Sequence, residues 1–192
     1  MKNFSLLLIF LCIALTKVNA QAARFQVAIY QDGKLLPKDA NNTVRIQKAA
    51  FQIQIEHRID EGVLVGATFD ADLFRSAIGE ADLEVSWYEN TGMAEGLFNT
   101  DKAIIQSDEA PSYWFYSSKS EHRFDKQPKV VNGRYIGQRT IANFAFLDPY
   151  GLVPIAQIQK DLYLVFYEAD YDLESETSQV LTPLGVHLSW IQ

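Results

Sequence analysis

The stretch Tyr167 to Thr177, YEADYDLESET, carries a carboxylate at every second position: Glu168, Asp170, Asp172, Glu174 and Glu176. In an extended chain alternate side chains share a face, so all five acids would stand in one row. Such a row could bind a divalent cation, dock onto a cationic surface, or simply face water. Same-face neighbours lie ~6.6 Å apart and repel by only ~0.6 kcal/mol per adjacent pair in water, which needs no bound cation to offset it. Calcium wants several oxygens converging on one point, usually from a curled loop with a glycine, and this stretch contains none. The row therefore reads as a solvated strand end, and no metal is expected. Glu168, Asp170 and Asp172 are the ligands a weak calcium site would use. Tyr167, Ala169, Tyr171 and Leu173 keep the opposite face apolar.

A second acidic constellation is Glu80-Ala81-Asp82-Leu83-Glu84. Period two again puts the three carboxylates on one face, and retaining glycoside hydrolysis needs two carboxyl groups ~5 Å apart flanking the sugar bond. The pentapeptide resembles the E-x-D-x-E strand motif of laminarinase- and lichenase-like glycoside hydrolases, which are also β-sandwiches. That resemblance implies Glu80 as nucleophile, Glu84 as acid/base and Asp82 as the group orienting them. It covers five residues. Ala81 stands where the family carries a larger aliphatic, and Gly79-Glu80 also reads as a helix stop. Carbohydrate chemistry, by hydrolysis or by binding, is accordingly the alternative and not the main reading.

Other catalytic sets are poorly supported. There is no G-x-S-x-G elbow, and the single cysteine, Cys12, lies in the apolar leader described below. Of the three histidines, His57 sits on the apolar face of its strand and reads as a core residue. His122 lies in a polar segment, and His187 faces away from Val186, Leu188 and Trp190, toward solvent. No cofactor is implied, and none of the three has a partner at zinc-ligand spacing. The aromatic block Tyr113-Trp114-Phe115-Tyr116 must send one ring pair away from a single core, and an uncovered pair would form a binding patch.

The elements that would position these residues follow a period of two. Phe51 to Ile59, FQIQIEHRI, alternates apolar and polar and reads as a half-buried strand. Asp60-Glu61-Gly62 predicts a hairpin into Val63 to Phe69. Leu83, Val85 and Trp87 alternate as a strand would. Asn132-Gly133 is a two-residue hairpin turn between Val130-Val131 and Tyr135-Ile136. Thr140 to Phe146 and Leu162 to Tyr167 are apolar on both faces, as covered strands are, and Asp148 to Gly151 reads as a turn. Val186, Leu188 and Trp190 mark a last strand. One short helix is predicted over Asp72 to Ile78, capped by Asp72, stopped by Gly79, with Leu73, Ala77 and Ile78 on its buried side. The expected fold is all-β: an antiparallel two-sheet β-sandwich of immunoglobulin-like or jelly-roll type, in one domain over residues 21–192. A small membrane barrel shares the alternation, but uneven strands and the doubly apolar Leu162 to Tyr167 argue against it.

Residues 1–20 have the grammar of a secretory signal peptide: Lys2, the apolar run Phe4 to Leu15, and small residues at Val18-Asn19-Ala20. Cleavage after Ala20 removes Lys2 and Lys17, taking the formal charge from −7 to −9, and leaves no cysteine. Such an acidic chain offers no basic patch for phosphates, so nucleic acid is not expected as a partner. The expectation is a secreted or periplasmic binding module without catalysis, whose partner is an envelope protein or glycan, and with no membrane span after cleavage. N-terminal sequencing of secreted material should begin at Gln21, and the fold should survive reducing agent. Recovery in detergent-extracted membranes with Met1 attached would contradict this.

Overall fold

The computed structural model describes residues 24–58, 63–79, 83–84, 87, 94–98, 103–107, 112–114, 125, 129–146 and 152–191. Strands dominate. One antiparallel sheet, here sheet A, has the order β2 (Lys34–Leu35), β1 (Phe25–Gln31), β4 (Phe51–Arg58), β10 (Arg134–Ile141), β9 (Lys129–Val131). Sheet B has the order β3 (Thr43–Ile46), β14 (Thr177–Trp190), β13 (Leu162–Asp172), β5 (Val63–Thr68), β8 (Ser112–Trp114), with only β3 and β14 parallel. A smaller sheet C runs β12 (Leu152–Pro154), β11 (Asn143–Phe146), β7 (Ala103–Ser107), β6 (Ala94–Phe98). Sheets A and B pack face to face as a β-sandwich, the expected fold. Among the described residues no helix is long and apolar enough to cross a membrane.

The odd positions of β1 and β4 face the interior: Phe25, Val27 and Ile29 from one, Phe51, Ile53 and Ile55 from the other. They meet Val63, Val65, Leu162, Leu164, Phe166, Val186 and Leu188 from sheet B. His57 belongs to the same face and is fully buried beside Tyr135, their ring centroids 6.3 Å apart, as the alternation required. Two tight turns close sheet A. Asp32-Gly33 and Asn132-Gly133 all have positive φ (51°, 73°, 51° and 75°), which two-residue hairpins demand and which Asp, Asn and Gly supply most easily. Sequence reading found the second and missed the first.

Sheet B is apolar on its outer face as well. Leu64, Val165, Tyr167 and Val180 point away from sheet A and would meet water, but helix α1 (Ala71–Gly79) and Leu83 lie over them. The cover fits because Gly185 has no side chain: a Cβ there would come within 2.5 Å of the Phe74 ring. Phe74 also lies 4.9 Å from the Tyr163 ring.

Several expected elements are corrected. β4 and β5 are not a hairpin. They belong to opposite sheets, because β5 is buried at all of its positions and fits only as a covered strand of sheet B. Thr140 to Phe146 is two strands, broken at Ala142 where the chain passes from sheet A to sheet C. The cap of α1 is Asp70, not Asp72: its Oδ1 accepts the amides of Asp72 (2.8 Å) and Leu73 (3.2 Å). The buried side of the helix carries Phe74 and Ala77, and Ile78, expected there, is exposed. Of the strand expected over Leu83 to Trp87, the described residues Leu83, Glu84 and Trp87 belong to no sheet strand. Glu84 makes an isolated bridge to Gln179, and the Trp87 amide turns back onto the Glu84 carbonyl at 3.0 Å. Ile59 to Gly62 and Asp148 to Gly151 lie outside the described residues.

Replacing Gly185 by Ala should cost about 1–3 kcal/mol in urea unfolding, the usual penalty for overpacking. Phe74→Leu, which removes the opposing ring, should recover part of that loss in the double variant. Simple additivity of the two would show that α1 does not dock through this contact.

Candidate functional site

The acid row divides at one residue. Opposite Tyr167 the register of β13 and β14 shifts, Phe166 pairing with Leu184 and Glu168 with Leu181, so β14 carries one extra residue there, in the Thr182-Pro183 pair. Pro183 has no N–H to give a ladder, and a bulge is where a central strand tolerates it. On the interior side of this bulge Glu168 is 3% exposed, and its Oε2 lies 2.6 Å from Arg24 Nε. Arg24 leads into β1, so this ion pair ties the two sheets together at one end of the sandwich. Arg134 supports it: one guanidinium nitrogen pairs with Glu56 at 2.8 Å and another donates to the Arg24 carbonyl at 3.1 Å. Glu168 is therefore not solvated, which corrects the sequence reading. Even positions of β13 face the core, and the strand leaves the core only after Glu168.

Beyond it the row does run into water. Asp170 and Asp172 are exposed, as are Glu174 and Glu176 in the connecting turn. The Asp172 carboxylate accepts the Glu174 amide at 2.8 Å and shapes that turn, and its pKa is lowered chiefly by this bond. Glu176 has φ 57°, completing the reversal. The result is a hairpin arm, paired from Asp170–Gln179 to Asp172–Thr177. Its other side shows Tyr171, 55% exposed, and Leu173, 83% exposed. Among the described residues no group of three or more His, Cys, Asp or Glu gathers as it would around a metal ion.

The remaining sequence candidates are only partly visible. Glu84 is exposed and sits on the bridge to Gln179, while Glu80 and Asp82 lie outside the described residues. Tyr113 and Trp114 are in edge strand β8, opposite Leu64 and Val63; Phe115, Tyr116 and His122 lie outside the described residues.

Sequence reasoning missed the setting of His187. It does not simply face solvent: its Nε2 is 2.7 Å from Asp161 Oδ2, its Nδ1 3.4 Å from Thr43 Oγ1, and its ring stacks on Tyr163 at 4.6 Å. Tyr163 and His187 are direct cross-strand partners, so the only signal was the register of β13 against β14. The other Asp161 oxygen accepts the Trp190 amide at 3.3 Å. Burial, then Asp161, raises the Tyr163 phenol pKa. A hydroxyl, an imidazole and a carboxylate in line resemble a hydrolytic triad, but two neighbouring backbone donors that could serve an oxyanion are already engaged. The amides of Asn41 and Thr43 both point at the Asp39 carboxylate, at 2.8 and 2.9 Å, and its negative charge would oppose a second anion beside Thr43. The cluster fastens β3, β13 and β14 to one another. No family model matches the chain, and no curated protein or solved structure is significantly similar to it.

Glu168→Gln should lose about 1–3 kcal/mol in a melt, because it strands a partly buried guanidinium. Asp170→Asn with Asp172→Asn should be near neutral, since Asn can still accept the turn bond. Equal losses would show that the row is one unit. The Asp39 carboxylate is held below its ordinary value of 3.8 by the Thr43 and Asn41 amides. A lowered pKa in the fold means this turn is stabilised above the ordinary value and loosens only as pH falls through the depressed one. The Asn41 and Thr43 amide resonances should then titrate below pH 3.8. A midpoint above it would contradict the bonded turn.

Proposed function

We propose that this chain is a secreted or periplasmic, non-catalytic β-sandwich that binds a macromolecular partner at the cell envelope. The observation that carries the reading is the hairpin arm. It projects past the ion pair that ends the core, and it exposes two large apolar side chains, Tyr171 and Leu173, beside four carboxylates with no cation between Ala169 and Gln179. Exposed apolar residues rimmed by charge mark interaction surfaces. An aromatic and an aliphatic anchor on a short, preformed turn lose little conformational freedom on docking. The acidic side favours a basic protein surface over a neutral glycan, and the overall negative charge disfavours nucleic acid.

The test is a photoreactive residue placed at Leu173, with a control at Asp32 in the β1–β2 turn. In the native envelope, position 173 should yield one discrete adduct that disappears when Asp170 and Asp172 are both changed to Lys. Equal adducts from both positions would contradict a docking arm. Turnover of a glycan by the purified protein, abolished in Glu84→Gln, would replace this reading with the hydrolase one.

A further inference from the structure

At the other end of β13, about 35 Å from the arm at ~3.3 Å per residue, the surface holds two adjoining cavities. The smaller, about 350 Å³, is lined by Phe69, Val153, Ile158, Gln157, Gln159 and Lys160. The larger, about 520 Å³, shares Phe69 and Lys160 and has Asp70 and Asp72 on its far wall. Phe69 lines both cavities, and its ring packs against that of Phe144, their centroids 4.6 Å apart.

We propose that the smaller cavity binds the carboxylate of an apolar molecule, with the apolar body on Phe69, Val153 and Ile158 and the carboxylate on Lys160. The chemistry of the lining selects this class. Among the described residues the smaller cavity has one charged side chain, Lys160, and no carboxylate. Among the described residues no ion pair or hydrogen bond engages the Lys160 ammonium. Its backbone is fixed, because the Lys160 carbonyl accepts the Trp190 indole N–H at 2.6 Å and the next residue, Asp161, holds His187. The Gln159 side-chain Nε2 donates to the Gln157 backbone carbonyl at 3.1 Å, and the Gln157 side-chain amide, which also lines the cavity, can donate to a second carboxylate oxygen. The acids of the neighbouring cavity are already committed, Asp70 to capping α1 and Asp72 to Arg75. A volume of this size suits one side chain with its carboxylate, at the small end of ligand pockets. A free apolar acid and the apolar C-terminus of a peptide present the same groups.

The experiment is an amide-resonance titration of the full protein with N-acetyl-L-phenylalanine, its carboxamide, and a pentapeptide ending in phenylalanine. The acid should shift Phe69, Ile158 and Gln159 saturably and bind roughly fivefold more tightly than the carboxamide, as expected for an exposed ion pair. Lys160→Gln should abolish that preference while leaving the spectrum folded, since the bond to Trp190 uses the carbonyl. Gln157→Glu should weaken the acid and not the carboxamide. Tighter binding of the pentapeptide would make the natural occupant a chain terminus, and equal binding a small acid. The proposal is overturned if acid and carboxamide bind alike, if the shifts fall elsewhere, or if the preference survives Lys160→Gln. The arm plays no part in this site, so failure here leaves the docking reading untouched.

Discussion

Sheet B carries hydrocarbon on both faces, and both faces must be kept from water. Leu164, Phe166, Val186 and Leu188 are covered by sheet A; Val165, Tyr167 and Leu64 are covered by α1 and Leu83. Each large apolar side chain so buried contributes ~1.5–3 kcal/mol, far more than any surface ion pair in this protein can. The rest of the architecture follows from that requirement. A helix must cross the outer face, so one position of β14 must be glycine. The cover ends at Ala169 and Val180, so β13 leaves the core just beyond Glu168, one step past the bulge at Pro183.

Electrostatics then decides what happens at the boundary. A carboxylate just inside the sandwich is tolerable only with a cation beside it, and Arg24 supplies one from the opposite sheet. A carboxylate just outside needs none. The same spacing of acids therefore gives one residue that fastens the sheets and four that stay exposed along an arm. The ends of β13 consequently differ in chemistry: an acidic, apolar-tipped projection at one, and at the other a recess whose lining holds a lysine that no described residue engages.

What sequence could show depended on whether a feature was local. The alternation of FQIQIEHR, the positive-φ pair Asn132-Gly133 and the core position of His57 are set by residues adjacent in the chain, and they were legible. The same local signal at Asp32-Gly33 was present and was passed over. The failures were pairings. Asp60-Glu61-Gly62 resembles a hairpin turn, yet nothing local says that β5 joins a strand a hundred residues away. His187 looked solvent-facing because its partners, Asp161 and Thr43, come from two other segments. Glu168 looked like its acidic neighbours because Arg24 is 144 positions distant. The recess beside Lys160 has no sequence signature, since its walls meet only through the fold.

The division of β13 into a covered strand and a projecting arm is the central claim, and amide hydrogen exchange measured residue by residue along it is the most direct test. Amides of Leu164 to Phe166 are expected to exchange only through global unfolding, while those of the paired arm, Asp170 to Asp172, exchange through local opening with far less protection. A sharp step in protection between Tyr167 and Asp170 is the expected result. Protection at the global level continuing to Asp172 would contradict it, because the acid row would then belong to the core.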